Sequence, residues 1–147
     1  MIKLTVERDN IKDMVERGIK LHGHSGPYLN LGIRMGLLAL DQLDAKGYFG
    51  LSTEVELEYR TPMSCLIDGL QISTGCTMGK GNIKVKNNPV PIKVTIKSEQ
   101  KTITVTIKPE IYQLMDFKKN TDEDLAEKIL KMGDRELFDY SVTNETP

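Results

Sequence analysis

Apolar residues recur along this chain at two periods, one near 3.6 residues and one near 2, and the switches between them predict its elements. Over residues 8–20, Ile11, Met14, Val15 and Ile19 share one helical face while Lys12, Asp13, Glu16 and Arg17 lie away from it, so an amphipathic helix is expected. Gly18 falls on its apolar side and weakens the last turn. The chain is then expected to pass through Leu21 into a Gly- and Pro-rich loop. A second helix is expected over residues 27–43, with Leu29, Ile33, Leu37 and Leu40 on one stripe. The fixed φ of Pro27 suits a first helical turn, and Ser25 or Gly26 would cap it. Gly32 and Gly36 stand one turn apart on this helix. Each costs roughly 1 kcal/mol relative to alanine, which points to a sheet, a partner helix or a ligand approaching that face closely.

Residues 54–59 alternate strictly, a strand pattern that turns Val55, Leu57 and Tyr59 inward. Thr61-Pro62 reads as a cap and first-turn proline of a short helix over residues 62–70. Gly75 and the run Gly79-Lys80-Gly81-Asn82 mark turns. Val90, Ile92, Val94 and Ile96 alternate with lysines and Thr95, and Ile103, Val105 and Ile107 alternate with threonines. The polar Ser98-Glu99-Gln100-Lys101 between them reads as the loop of a β-hairpin. Thr121-Asp122-Glu123-Asp124 approximates a capping box. It opens a helix that buries Leu125, Ile129 and Met132 and stops at Gly133. The sum is an α+β fold, a small antiparallel or mixed sheet with a hairpin packed against several helices, in a single domain over residues 1–147.

At 147 residues the chain can bury a core without staples, and 39% hydrophobic with 28% charged residues is the balance of a globular protein. A formal net charge of -1 gives no overall pull toward nucleic acid or membrane, and neither is expected as a partner. No run approaches the ~20 apolar residues that span a bilayer, and Met1-Ile2-Lys3-Leu4 does not open a signal peptide, so a cytoplasmic location is expected. In that compartment two cysteines read as ligands or reactive thiols before they read as a disulfide, although a Cys65–Cys76 bridge stays open.

All the histidine and cysteine falls in two segments. His22-Gly23-His24-Ser25-Gly26-Pro27 holds both histidines, and the stretch from Cys65 to Asn82 holds both cysteines. Two imidazoles and two thiols suit zinc or a neighbouring transition metal, which makes His22, His24, Cys65 and Cys76 the candidate ligands. The alternative is a pair of loop histidines bonded to backbone and two packed thiols. Cys65 is expected near the first turn of the short helix, where the dipole favours a thiolate. Cys76 is expected in a turn at Gly75, and with His24 it is a candidate for catalysis. Asp68 and Gln71 lie on the Cys65 helix and could hydrogen-bond to ligands. Lys80 and Asn82 are candidate anion or ligand contacts, but the phosphate-loop pattern GxxxxGK[ST] is not met. Lys84, Lys86, Lys93, Lys97, Lys101 and Lys108 are read as a solvated face offset by strand glutamates.

With both segments laid out, the chain resembles the FmdE family, named for the E subunit of formylmethanofuran dehydrogenase. That family's pattern is roughly H-G-H-x-C-P, then a glycine-bearing helix, then C-x-x-D-x-[IL]-Q…T-G-C-T-x-G-K-x-N. It is met here by His22-Gly23-His24, by Cys65, Asp68 and Gln71, and by Thr74-Gly75-Cys76-Thr77 with Gly79, Lys80 and Asn82. Gly26 stands where the pattern has a cysteine, and nothing after Cys76 supplies the C-terminal zinc ribbon of some relatives. The resemblance implies a dimeric α+β domain with a His/Cys metal site, most readily zinc, in the service of molybdenum- or tungsten-dependent one-carbon metabolism. Two other readings stand beside it: a metal- or thiol-dependent enzyme on a small molecule, and a non-catalytic subunit or small-ligand module. A homodimer is also expected from the second helix, which is apolar around so much of its circumference that one small domain would struggle to cover it.

Overall fold

In the computed structural model, which describes residues 2–89, 91–116 and 121–145, two helices pack closely on each other and one of them lies against a five-stranded sheet. The elements run α1 (Ile11–His22), α2 (Pro27–Leu43), β1 (Ser52–Leu57), α3 (Cys65–Thr74), β2 (Ile83–Asn87) and β3 (Lys93–Lys97). They continue with β4 (Lys101–Ile107), α4 (Pro109–Asp116), α5 (Asp122–Lys131), α6 (Asp134–Leu137) and β5 (Phe138–Asn144). The fold is α+β, as the pattern predicts.

The strands lie in the order β2-β1-β3-β4-β5. β1 and β2 are parallel and joined through α3, while the other pairings are antiparallel. In register, Val55 faces Val85 on one side and Val94 on the other, and Val94 faces Val105. One face of the sheet is therefore a continuous apolar surface, with Val55, Leu57, Val94, Ile96, Ile103 and Val105 fully buried. The opposite face carries the lysines and threonines. Lys86 meets Glu54 at 2.9 Å and Lys93 meets Glu56 at 3.9 Å, so the basic face is offset by glutamates as expected.

Local chemistry sets the helix ends. Asn10 caps α1, its side chain accepting from the Asp13 N–H at 3.0 Å. Gly23 closes that helix in the left-handed region at φ 103, donating to Ile19 O at 2.6 Å. α1 therefore runs through His22, which belongs to its last turn rather than to a loop. α2 starts at Pro27 as predicted, and α5 starts behind the Thr121 cap, whose hydroxyl accepts from Asp124 N–H at 3.1 Å.

Gly32 and Gly36 are explained by α3. A Cβ on Gly32 would collide with the Leu66 carbonyl oxygen and lie 3.0 Å from the Gly69 Cα. One on Gly69 would collide with the Leu29 carbonyl oxygen, and one on Gly36 with Ser73. The Ser73 hydroxyl lies 2.9 Å from Gly69 O and 3.2 Å from Gly32 O, bridging the seam. α2 is covered from within the chain by α1, α3, α5 and the sheet, with eleven of its residues buried. Much of the apolar circumference on which the expected homodimer was argued is therefore used within the chain.

Other expectations are corrected. β1 ends at Leu57, and Tyr59 turns outward at 65% exposed, its N–H donating to Asn87 Oδ1. Turns occupy the next residues, so the short helix begins at Cys65 instead of Pro62 and continues to Thr74. β2, α4, α6 and β5 are additions to the elements that the pattern marks. Val90, assigned above to the hairpin's first strand, lies outside the described residues.

Candidate functional site

The C-terminal end of α1 and the N-terminal end of α3 meet, and each presents part of one family segment. His22, in the last turn of α1, places Nδ1 2.7 Å from Asp68 Oδ2. An ionised carboxylate can only accept, so in the neutral ring Nδ1 carries the proton and Nε2 keeps its lone pair. That Nε2 is buried without a hydrogen-bond partner among the described residues, in a side chain only 11% exposed. Buried polar atoms nearly always find a partner, and leaving one bare costs about 1–3 kcal/mol. Gly23 then turns the chain so that the His24 ring stands 4.7 Å from that of His22, centre to centre. His24 Nδ1 donates to Ser25 O at 2.9 Å, which leaves its Nε2 lone pair available as well.

Asp68 is itself held. Gln71 Nε2 reaches Asp68 Oδ1 at 3.4 Å, and Gln71 Oε1 accepts from the Met78 N–H at 3.1 Å. The two polar residues singled out on this helix thus form a chain that ends at His22. A cavity of about 130 Å³ opens beside the imidazoles, bounded by His22, His24, Cys65, Tyr28, Met115 and Asp122. Burial, and then the charge of Asp68, push the Cys65 thiol above its ordinary range. The expected thiolate at this helix start is therefore opposed by desolvation and a neighbouring carboxylate. Burial likewise pushes the Tyr28 phenol up to about 12, so it stays protonated.

Cys76 lies apart from the other three candidate ligands. Cys65 opens α3 and Cys76 follows its far end, beyond the Gly75 cap. A ten-residue helix spans about 15 Å, too far for a shared ion or a disulfide, and both cysteines are free. Cys76 is fully buried in the core, with the Thr53 hydroxyl 3.4 Å from its sulfur. It does not bound the histidine cavity, so the suggested Cys76–His24 pair is not assembled. Lys80 and Asn82 also lie at this far end. Lys80 Nζ donates to Gly75 O and stands over the Tyr48 and Phe49 rings. Asn82 accepts from Thr77 N–H and donates to Tyr48 O, so both side chains are committed to holding loops.

Among the described residues no three His, Cys, Asp or Glu side chains are gathered tightly enough to ligate one ion as they stand. Tyr28, Met115 and Asp122 are cavity residues that the sequence did not mark. Asp122 was legible only as part of a helix start, because no local pattern says what that helix end will face.

A family model described as FmdE, molybdenum formylmethanofuran dehydrogenase operon, matches residues 21–139. A probable S-adenosyl-L-methionine-binding protein of Archaeoglobus fulgidus is 35% identical over 71 residues, which are 46% of this chain. The matched part is 19% of that protein's length, so the chain spans about a fifth of this relative.

Proposed function

The chain belongs to the FmdE family, and from that premise we propose that it binds a divalent transition metal, zinc foremost, through His22, His24 and Cys65. The observation that carries this reading is the buried, unpartnered Nε2 of His22, with Asp68 on the opposite ring nitrogen. Metal-ligating histidines recurrently donate their other N–H to a carboxylate, which fixes the tautomer and raises ligand basicity. Two imidazole nitrogens and a sulfur suit a borderline ion such as zinc. Burial that opposes the free thiolate at Cys65 is offset once a cation stands beside it, because ligation deprotonates a thiol outright.

Gly26 shapes the rest. Its φ of -163 is extended backbone that any residue adopts, and a Cβ there would rest 3.5 Å from His24 Cε1 in ordinary contact. The missing family thiol thus leaves room beside His24. His22, His24 and Cys65 supply three of the four positions that tetrahedral zinc takes, and an ion bound there would supply a Lewis acid. The chain's own residues set what reaches it. Tyr28 and Met115 narrow a space of about 130 Å³, well below the 300–1,000 Å³ of sites for drug-sized ligands. That volume favours a small molecule over an adenosyl ligand of the kind named for the archaeal relative.

Dialysis of metal-free protein against zinc, followed by elemental analysis, tests the reading. About one ion per chain is expected for the wild type and for Cys76→Ser, and loss of it in His22→Ala and His24→Ala. Gly26→Cys should bind more tightly than the wild type. A wild type that retains no zinc, or a His22→Ala variant that retains as much, would overturn the proposal.

A further inference from the structure

We propose that Asp122 supplies the anionic donor that Gly26 denies to this site, an inference resting on the metal reading above. Asp122 is the first residue of α5 and bounds the same cavity as His22, His24 and Cys65. It belongs to neither of the segments that carry the family pattern, and neither comparison assigns it a role.

The fold holds α5 in this place by specific bonds. Asn30, one turn into α2 and buried, donates to Ala126 O at 3.0 Å. Arg34, one turn further, donates to Ile129 O at 2.8 Å and meets Asp134 at 3.1 Å. Leu125 packs buried at the cavity wall beneath them. The helix that begins at the histidine loop thus grips the helix that begins at Asp122. Both starts are brought to one cavity.

Charge gives the placement a purpose. No Lys or Arg is among the described residues that bound the cavity, and each of its two imidazoles keeps an Nε2 lone pair when neutral. Asp68 is bonded to His22 and to Gln71 and lies outside the cavity lining, which leaves Asp122 as the lining carboxylate. A divalent ion on neutral imidazoles gains from such an anion, and zinc accepts Asp oxygen at about 2.0–2.2 Å. Asp122 is exposed, so its side chain can change rotamer without displacing packed neighbours.

Cobalt(II) titration followed by visible absorption tests this without reference to any activity. Asp122→Asn should weaken cobalt binding about tenfold or more, whereas Asp124→Asn, on the same turn but outside the cavity lining, should leave it unchanged. Asp122→Cys should restore binding and add sulfur-to-cobalt charge-transfer absorption. If Asp122→Asn binds like the wild type while His22→Ala does not bind, Asp122 is no ligand and the metal reading stands without it. If the wild type binds no cobalt, both fail together.

Discussion

The short contact between His22 and Asp68 fixes the imidazole's tautomer and leaves a buried nitrogen with nothing to bond. Asp68→Asn keeps the shape but removes the anionic acceptor, and should weaken zinc binding about 10–100-fold in competition with a chelating dye. The two thiols should part company as well. Native protein should yield one slowly reacting thiol to a disulfide reagent, Cys65, and denatured protein two, since Cys76 is fully buried. Burial disfavours the Cys65 thiolate, so its alkylation should lag a free cysteine at pH 8 and accelerate only above the ordinary thiol range. Equal reactivity of both thiols in native protein would contradict this placement. The imidazoles and Asp68 were legible because residue type and spacing announce them. Cys76 was not, because a thiol next to a turn glycine reads the same whether it faces a site or the core.

The α2–α3 seam is the element on which the site depends, since it fixes Cys65 and Asp68 relative to the histidine loop. Gly32→Ala and Gly69→Ala each drive a methyl group into a carbonyl of the facing helix. Each should cost about 1–3 kcal/mol or more, read as a lower urea midpoint, while Gly79→Ala, whose Cβ would have only Thr77 Oγ1 within 4.0 Å, should change little. Wild-type stability in the two seam variants would mean that the helices do not pack this closely. The sequence announced a close approach through Gly32 and Gly36, but not its partner, because Gly69 lies 37 residues beyond Gly32 and only the fold brings them together. The hairpin strands were legible because both are half-buried along their length. β2 and β5 were missed for the opposite reason. They are the sheet's edges, and beyond Tyr140 every residue of β5 is exposed, so burial imposes no alternation there.

At the scale of the whole molecule, α1, α2, α3 and α5 all end or begin at the histidine cavity, so an ion there would tie four helices together. Ligand binding to the folded state alone stabilises it by about 2.7 kcal/mol at a hundredfold excess over Kd. Zinc should therefore raise the unfolding midpoint of the wild type and leave that of His22→Ala unmoved. Among the described residues no helix is long and apolar enough to cross a membrane. The fold class was legible because the 3.6- and 2-residue periods are clean in most segments. The site was legible as two segments, but which four helix ends meet is a property of long-range packing that no local pattern carries. The central claim is that the ion sits on His22, His24 and Cys65, with Cys76 apart from it. X-ray absorption at the zinc edge of loaded protein tests this most directly. It should show one sulfur at about 2.3 Å beside nitrogen or oxygen at about 2.0–2.1 Å. A first shell with two sulfurs, or with none, would contradict the account.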